Sequence, residues 1–150
     1  MKIAQVAPLY ESVPPKLYGG TERVVSYLTE ELVRMGHEVT LFASGDSVTA
    51  AELRPQVQKA LRLDASCDDD IPPHLLMADQ VAREAEEFDV IHFHTNYLHF
   101  PWASGASVAN VTTLHGRLDL PDIMPLYKAF RHLPFISISD AQRAPMPWLN

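Results

Sequence analysis

The residues best suited to chemistry in this chain are a glycine pair and a small set of histidines. Gly19-Gly20 stands just before Thr21, where a helical pattern begins. At a helix N-terminus the unpaired N–H groups and the positive dipole end attract an anion, and missing side chains let a phosphate group approach the backbone. The same pair would also serve a turn that needs positive φ. His92 and His94 lie two apart on an expected strand and so share a face, a spacing that some metal-dependent hydrolases use. A metal would need more ligands; His99 and Asp89 are nearby but complete no known pattern. His92 is therefore expected to pack in the sheet, with His94, Asn96 and Tyr97 at the strand end. His115 closes an apolar run and precedes Gly116, which sets an imidazole beside a flexible residue.

The elements that must position these residues follow from periodicity. Lys2 to Ala7 reads as a strand buried on both faces, stopped by Pro8. From Thr21 the period becomes helical, with Val24, Val25, Leu28, Leu32 and Met35 on the apolar stripe and Glu22, Arg23, Thr29, Glu30 and Arg34 facing away. Thr21 is the expected cap and Gly36 the expected end. Glu38 to Ala43 is the second strand, which makes the opening a βαβ unit with a right-handed crossover. Residues 44–73 give no clear element, because Pro55 breaks the pattern and Asp68 to Asp70 form an acidic turn. His74 to Phe88 is helical, Asp89 to His94 and Val108 to Leu114 are strands, Asp122 to His132 is a helix and Phe135 to Ile138 a strand. Ser139 and Gln142 have capping-box spacing for a last helix that Pro145 and Pro147 cut short. The fold class expected is α/β: a doubly wound, mostly parallel, Rossmann-like sheet with helices on both faces. Ligands then bind beyond the carboxyl ends of the strands. The loop of residues 8–20 lies there, yet it carries neither G-x-G-x-x-G nor a Gly-Lys pair followed by Ser or Thr, which disfavours dinucleotide and P-loop chemistry.

Composition narrows the partners. A net charge of -7, with basic residues scattered without runs, argues against nucleic acid, whose backbone needs clustered cations. Cys67 is the single cysteine, which leaves no disulfide framework and fits a reducing interior, so a cytoplasmic location is expected. Gln5, Pro8 and Glu11 interrupt any signal-like start, and no stretch approaches the roughly 20 apolar residues of a membrane span. Membrane contact is expected to be peripheral at most.

Tyr18-Gly19-Gly20-Thr21-Glu22-Arg23-Val24, then Arg34-Met35-Gly36-His37-Glu38-Val39-Thr40, then Asp89-Val90-Ile91-His92-Phe93-His94, Thr113-Leu114-His115-Gly116 and Ile138-Ser139-Asp140, resemble family four glycosyltransferases in order and spacing. The resemblance implies a GT-B enzyme of two Rossmann-like domains, of which this chain is the N-terminal, acceptor-side one. It implies transfer of a sugar, of hexosyl type, from a nucleotide diphosphate sugar to a hydroxyl acceptor (a glycan, a lipid or a small molecule) with retention and without metal or cofactor. Gly19 and Gly20 would lie against the donor diphosphate. His115 would contact the transferred sugar as the catalytic residue, holding it and stabilising charge as the glycosidic bond opens. Tyr10, Glu11 and Tyr18 in the first loop, with His94, Asn96 and Tyr97, would face the acceptor. Related synthases carry Lys-x-Gly-Gly, whereas Lys16 stands one residue further away and reads as a solvated lysine. Asp46 reads as a turn residue and Ser139 as a cap. The resemblance also implies that the chain stops short of the domain's last strand, lacks the donor-binding domain and is inactive alone. Rival readings are a sugar-nucleotide epimerase or hydrolase of the same architecture, and a stand-alone α/β binding domain.

Overall fold

The computed structural model describes residues 1–149. Its strands are β1 (Lys2–Val6), β2 (Glu38–Ser44), β3 (Glu52–Val57), β4 (Val90–Phe93), β5 (Ala109–Leu114) and β6 (Phe135–Ser137). Between them lie α1 (Gly20–Arg34), α2 (Ile71–Arg83), α3 (Phe100–Ala103) and α4 (Met124–Ala129), and α5 (Asp140–Arg143) follows β6. Every strand pairs in parallel, in the order β3-β2-β1-β4-β5-β6. The order reverses between β1 and β4, and at such a switch point the connections leave in opposite directions and open a crevice at the carboxyl ends.

Alternation along the strands assigns the two faces. Ala4, Val6, Phe42, Ile91 and Phe93 pack on Met77 and Val81 of α2. Their neighbours Ala7, Leu41 and Ala43 pack with Val13 and with Val25 of α1 on the other face. Burial of both faces is why the strands read as continuous apolar runs.

Helix α1 sits differently from its expected stripe. Its buried residues are Glu22, Val25, Ser26 and Thr29, whereas Val24, Tyr27 and Met35 are exposed. Of that buried face, Val25 packs with Ala7, Leu41 and Ala43. Thr21 does not cap it: Gly19 takes the N-cap position without any side-chain bond. Gly36 does end it, at φ 85°, in the left-handed region where glycine pays no steric cost.

The segment without a clear pattern contains β3, with Pro55 inside it. A proline is tolerated because β3 is an edge strand, and the register shifts between Ala43 and Ser44. Helix α2 begins at Ile71, earlier than expected, because Pro72 and Pro73 fit a first helical turn. The expected helix over 122–132 is a short 3-10 turn at Pro121–Ile123 followed by α4, and α3 was not signalled by periodicity.

The centre of the sheet holds histidines rather than aliphatic residues alone. His99 is stacked on Phe93, with ring centroids 3.8 Å apart, and its Nε2 meets Thr112 Oγ1 at 2.8 Å. Burial pushes it down to about 3. On the opposite face His92 Nε2 meets Thr113 Oγ1 at 2.7 Å, and His94 lies against His92 with centroids 4.1 Å apart. Burial, then repulsion by the neighbouring imidazoles, lowers His92 to about 4 and His94 to about 2.

These values lie below the ordinary histidine range, so the unfolded chain binds protons that the fold excludes. Stability is therefore full above about pH 6.5 and is lost as pH falls toward 4, at about 1.4 kcal/mol per pH unit for each such histidine. The urea midpoint is expected to drop markedly between pH 7 and pH 5. An unchanged midpoint would mean that protons reach these rings without unfolding.

Candidate functional site

The loop between β1 and α1 is buried for much of its length, and its backbone must find partners there. Leu9 N–H donates to His74 Nε2 at 3.0 Å, and His74 Nδ1 in turn donates to the Asp70 carbonyl at 2.7 Å. The carbonyls of Leu9 and Tyr10 accept from Leu61 and Arg62 N–H at 2.9 and 3.1 Å. Val13 N–H donates to Ser47 Oγ at 2.9 Å, and Val13 O accepts from Val48 N–H at 2.8 Å. Leu9 and Val13 are fully buried. The loop is thus a fixed wall at the carboxyl end of the sheet.

A cleft of about 720 Å³ opens between this wall and the ends of β4 and β5. Gly19 and Gly20 form one end of it. The first intrahelical bond of α1 runs from Arg23 N–H to Gly19 O at 3.1 Å, which leaves the N–H groups before it without a partner in the helix. The carboxylate of Glu22 lies against its own N–H and that of Glu11, and burial raises its pKa. The two glycines differ in what they require. A Cβ on Gly19 would come within 2.7 Å of Pro15 Cβ and 2.9 Å of Glu22 Oε2, whereas one on Gly20 would meet nothing within 4 Å. Gly19 is demanded by packing. Gly20 is exposed and leaves the helix end open to the cleft.

His115 forms the facing wall. Its Nε2 lies 2.9 Å from His94 Nδ1, and His94 Nε2 lies 2.9 Å from Gln5 Oε1. Burial lowers the pKa of His115, which favours the neutral imidazole. The loop carrying His115 is clamped by Gln142, whose Nε2 donates to Leu114 O at 2.6 Å and to Gly116 O at 2.7 Å. Gln142 is itself held at the start of α5: Ser139 Oγ accepts from its N–H at 3.0 Å, as the capping-box spacing predicts. Its Oε1 accepts from Ile138 N–H at 2.9 Å, one residue earlier than a standard box.

The cleft brings together Tyr10, Tyr18, Gly19, Gly20, His94, Asn96, Tyr97 and His115. Two of these differ from expectation in what they offer. His94 is buried with both nitrogens engaged, so it backs His115 and has no free nitrogen for an acceptor. Tyr10 hydrogen-bonds Asp70; burial first and that bond second push its hydroxyl up to about 12. Glu11 does not line the cleft: it is buried, and its Oε1 takes Arg62 Nη1 at 2.8 Å. The carboxylate expected to meet the acceptor instead holds a guanidinium.

Arg62 is the residue that sequence reasoning missed. It is the one lysine or arginine among the described lining residues, and its guanidinium lies 6.0 Å from the Tyr18 ring. It falls in the stretch where Pro55 and the acidic turn hid all periodicity; a basic residue just before that turn was the only signal. Lys16, by contrast, is exposed and paired with Asp46 at 3.1 Å, and Asp46 also accepts from Ser44 Oγ within its turn and from Ala60 N–H beyond β3. His92 and His94 lie against each other with their rings tilted by 36° and turn to Thr113 and Gln5. Among the described residues no group of three or more His, Cys, Asp and Glu is arranged to hold a metal ion. No helix among the described residues is long and apolar enough to cross a membrane.

Solved structures share this architecture. AviGT4, a glycosyltransferase involved in avilamycin A biosynthesis, superposes with a TM-score of 0.60 at 24% identity, over 98% of this chain and 39% of its own. Sucrose-phosphate synthase from Thermosynechococcus elongatus gives 0.63 at 13% identity, over 100% of this chain and 45% of its own. A glycosyltransferase from Rickettsia africae gives 0.59 at 17% identity, over 98% and 39%. The chain thus spans roughly two fifths of the length of these structures and has the Rossmann-like fold of one half of a GT-B glycosyltransferase. No curated protein matches the sequence. The family model Glycosyltransferase Family 4 matches residues 18–144, which hold both the open helix end at Gly20 and the clamped imidazole of His115, and the chain belongs to that family.

Proposed function

We propose that this chain is the acceptor-side half of a retaining glycosyltransferase, which moves a hexosyl group from a nucleotide diphosphate sugar to a hydroxyl acceptor. The observation that carries the reading is the meeting, in one cleft, of an open helix N-terminus and a half-buried histidine held by His94. The N–H groups of Gly20 and Thr21 and the dipole of α1 take the diphosphate, with Arg62 as the nearby cation. His115 holds the sugar by a hydrogen bond. Tyr18, Asn96 and Tyr97 flank the space left for the acceptor, with the ring of Tyr10 behind them and Glu11 supporting Arg62. Bond opening then draws on position and on preorganised donors facing the departing diphosphate, with no metal or redox cofactor. The rest of the charge neutralisation falls to a donor-binding domain beyond these 150 residues, so the isolated chain is expected to be inactive. The reading places the enzyme in the cytoplasm, touching a membrane at most peripherally.

A transfer assay with labelled nucleotide sugars and hydroxyl acceptors, run on the full-length polypeptide, tests this. The product should carry the label with the donor's anomeric configuration; release of free sugar or of an epimerised nucleotide sugar, without any labelled acceptor, would point to the hydrolase or epimerase reading. Turnover by purified residues 1–150 alone would overturn the two-domain requirement.

Gly20→Val should leave the melting temperature near its original value, since its side chain meets open space, while reducing kcat/KM about a hundredfold by blocking the helix end. Gly19→Val should instead lower stability, by about 1–3 kcal/mol, through the clash with Pro15. Equal effects at both positions would show that neither glycine faces a ligand. His115→Ala should lower kcat by about 100-fold to 1000-fold with little loss of stability, read from steady-state kinetics and thermal melts.

A further inference from the structure

We infer that Gln5 and His94 are positioning residues that fix the tautomer of His115, so that Nδ1, its nitrogen not bonded to His94, is a hydrogen-bond acceptor. One chain of contacts links the three side chains. Gln5 is almost fully buried in the central strand β1, and its Oε1 can only accept. His94 Nε2, 2.9 Å away, must therefore carry the proton. In a neutral imidazole the other nitrogen is then bare, so His94 Nδ1 accepts from His115 Nε2 at 2.9 Å. That places the His115 proton on Nε2 and leaves Nδ1 as a lone pair with no hydrogen-bond partner among the described residues. Burial keeps the imidazoles neutral, which is what makes the relay directional.

The polarity has a chemical consequence. A bare Nδ1 accepts from a hydroxyl but opposes a phosphate oxygen, lone pair against lone pair. The two ends of the cleft are thus complementary: N–H groups of α1 suit an anion, and His115 suits an uncharged polyol. Assigning that polyol to the transferred sugar rests on the glycosyltransferase reading; the tautomer itself does not. The main chain on either side of His115 is tied to Gln142 through Leu114 O and Gly116 O.

The test is two-bond ¹H–¹⁵N spectroscopy of the histidine rings in the full chain at pH 8, with His115 assigned by His115→Gln. The expected spectrum shows His115 with a protonated Nε2 and an unprotonated Nδ1. Gln5→Met, close in volume but without the amide acceptor, should convert His115 to a mixture of tautomers. Gln5→Glu, ionised and acceptor-only, should restore the original pattern. A His115 protonated at Nδ1 in the unmodified chain, or a Gln5→Met spectrum with the tautomer unchanged, would overturn the inference. If Gln5→Met does not fold, the unmodified chain and Gln5→Glu still decide it. Failed sugar transfer alongside the expected tautomer would count against the glycosyltransferase reading alone.

Discussion

A buried loop must satisfy its own backbone, and that requirement organises the carboxyl end of this sheet. Leu9, Glu11, Ser12 and Val13 lie inside the molecule, where each unpaired N–H or carbonyl would cost about 1–3 kcal/mol. Their partners come from three separate places: His74 at the start of α2, the main chain of Leu61 and Arg62, and the Ser47-Val48 turn after β2. Because those partners must be where the loop needs them, the irregular stretch between β2 and α2 acquires a defined path. Arg62 reaches the cleft as a by-product of that path, and Glu11 is turned inward to meet it. The same wall brings Pro15 against Gly19 and so sets where the first turn of α1 begins.

The second constraint is dielectric. Parallel strands buried on both faces usually carry aliphatic residues, yet β1, β4 and β5 carry Gln5, the half-buried His92, Thr112 and Thr113, and His94 follows directly after β4. Such groups are tolerated because each finds a partner on an adjacent strand or in the following loop: His92 with Thr113, His94 with Gln5 and His115, His99 with Thr112. Burial keeps the rings uncharged, so the network costs far less than a buried ion would. What results is a polar seam inside an apolar sheet, rigid because every strand that contributes to it is held on both sides.

Much of this was legible from residue types. The apolar runs at Lys2 to Ala7 and Glu38 to Ala43 lie within one residue of β1 and β2, because burial on both faces leaves an unmistakable signature. Gly36 and Ser139 were readable because caps depend on local geometry alone. Long-range fit was not readable. The stripe of α1 turned out rotated: Glu22, Val25, Ser26 and Thr29 are buried, with Val25 packed among Ala7, Leu41 and Ala43, while Val24 and Met35 are exposed. Edge strand β3 was hidden by Pro55, whose tolerance depends on which strand lies beside it and not on its neighbours in sequence. At the site, residue types located the glycines, His115, Asn96 and Tyr97. They could not show that Glu11 and His94 point at other protein groups, because that depends on contacts 51 and 21 residues distant in the chain.

The two borders of the sheet are chemically unequal. On β3, Pro55 removes a main-chain donor, and Arg54 gathers Glu52, Glu84 and Glu87 around itself while lying over the rings of Phe42 and Phe88. A strand arriving there would find a missing N–H and a cluster of charges to displace. On β6, Phe135–Ser137, there is no proline and Ile136 is exposed. The sheet therefore ends on a strand bearing a proline and a charge cluster at one border and on a strand with neither at the other.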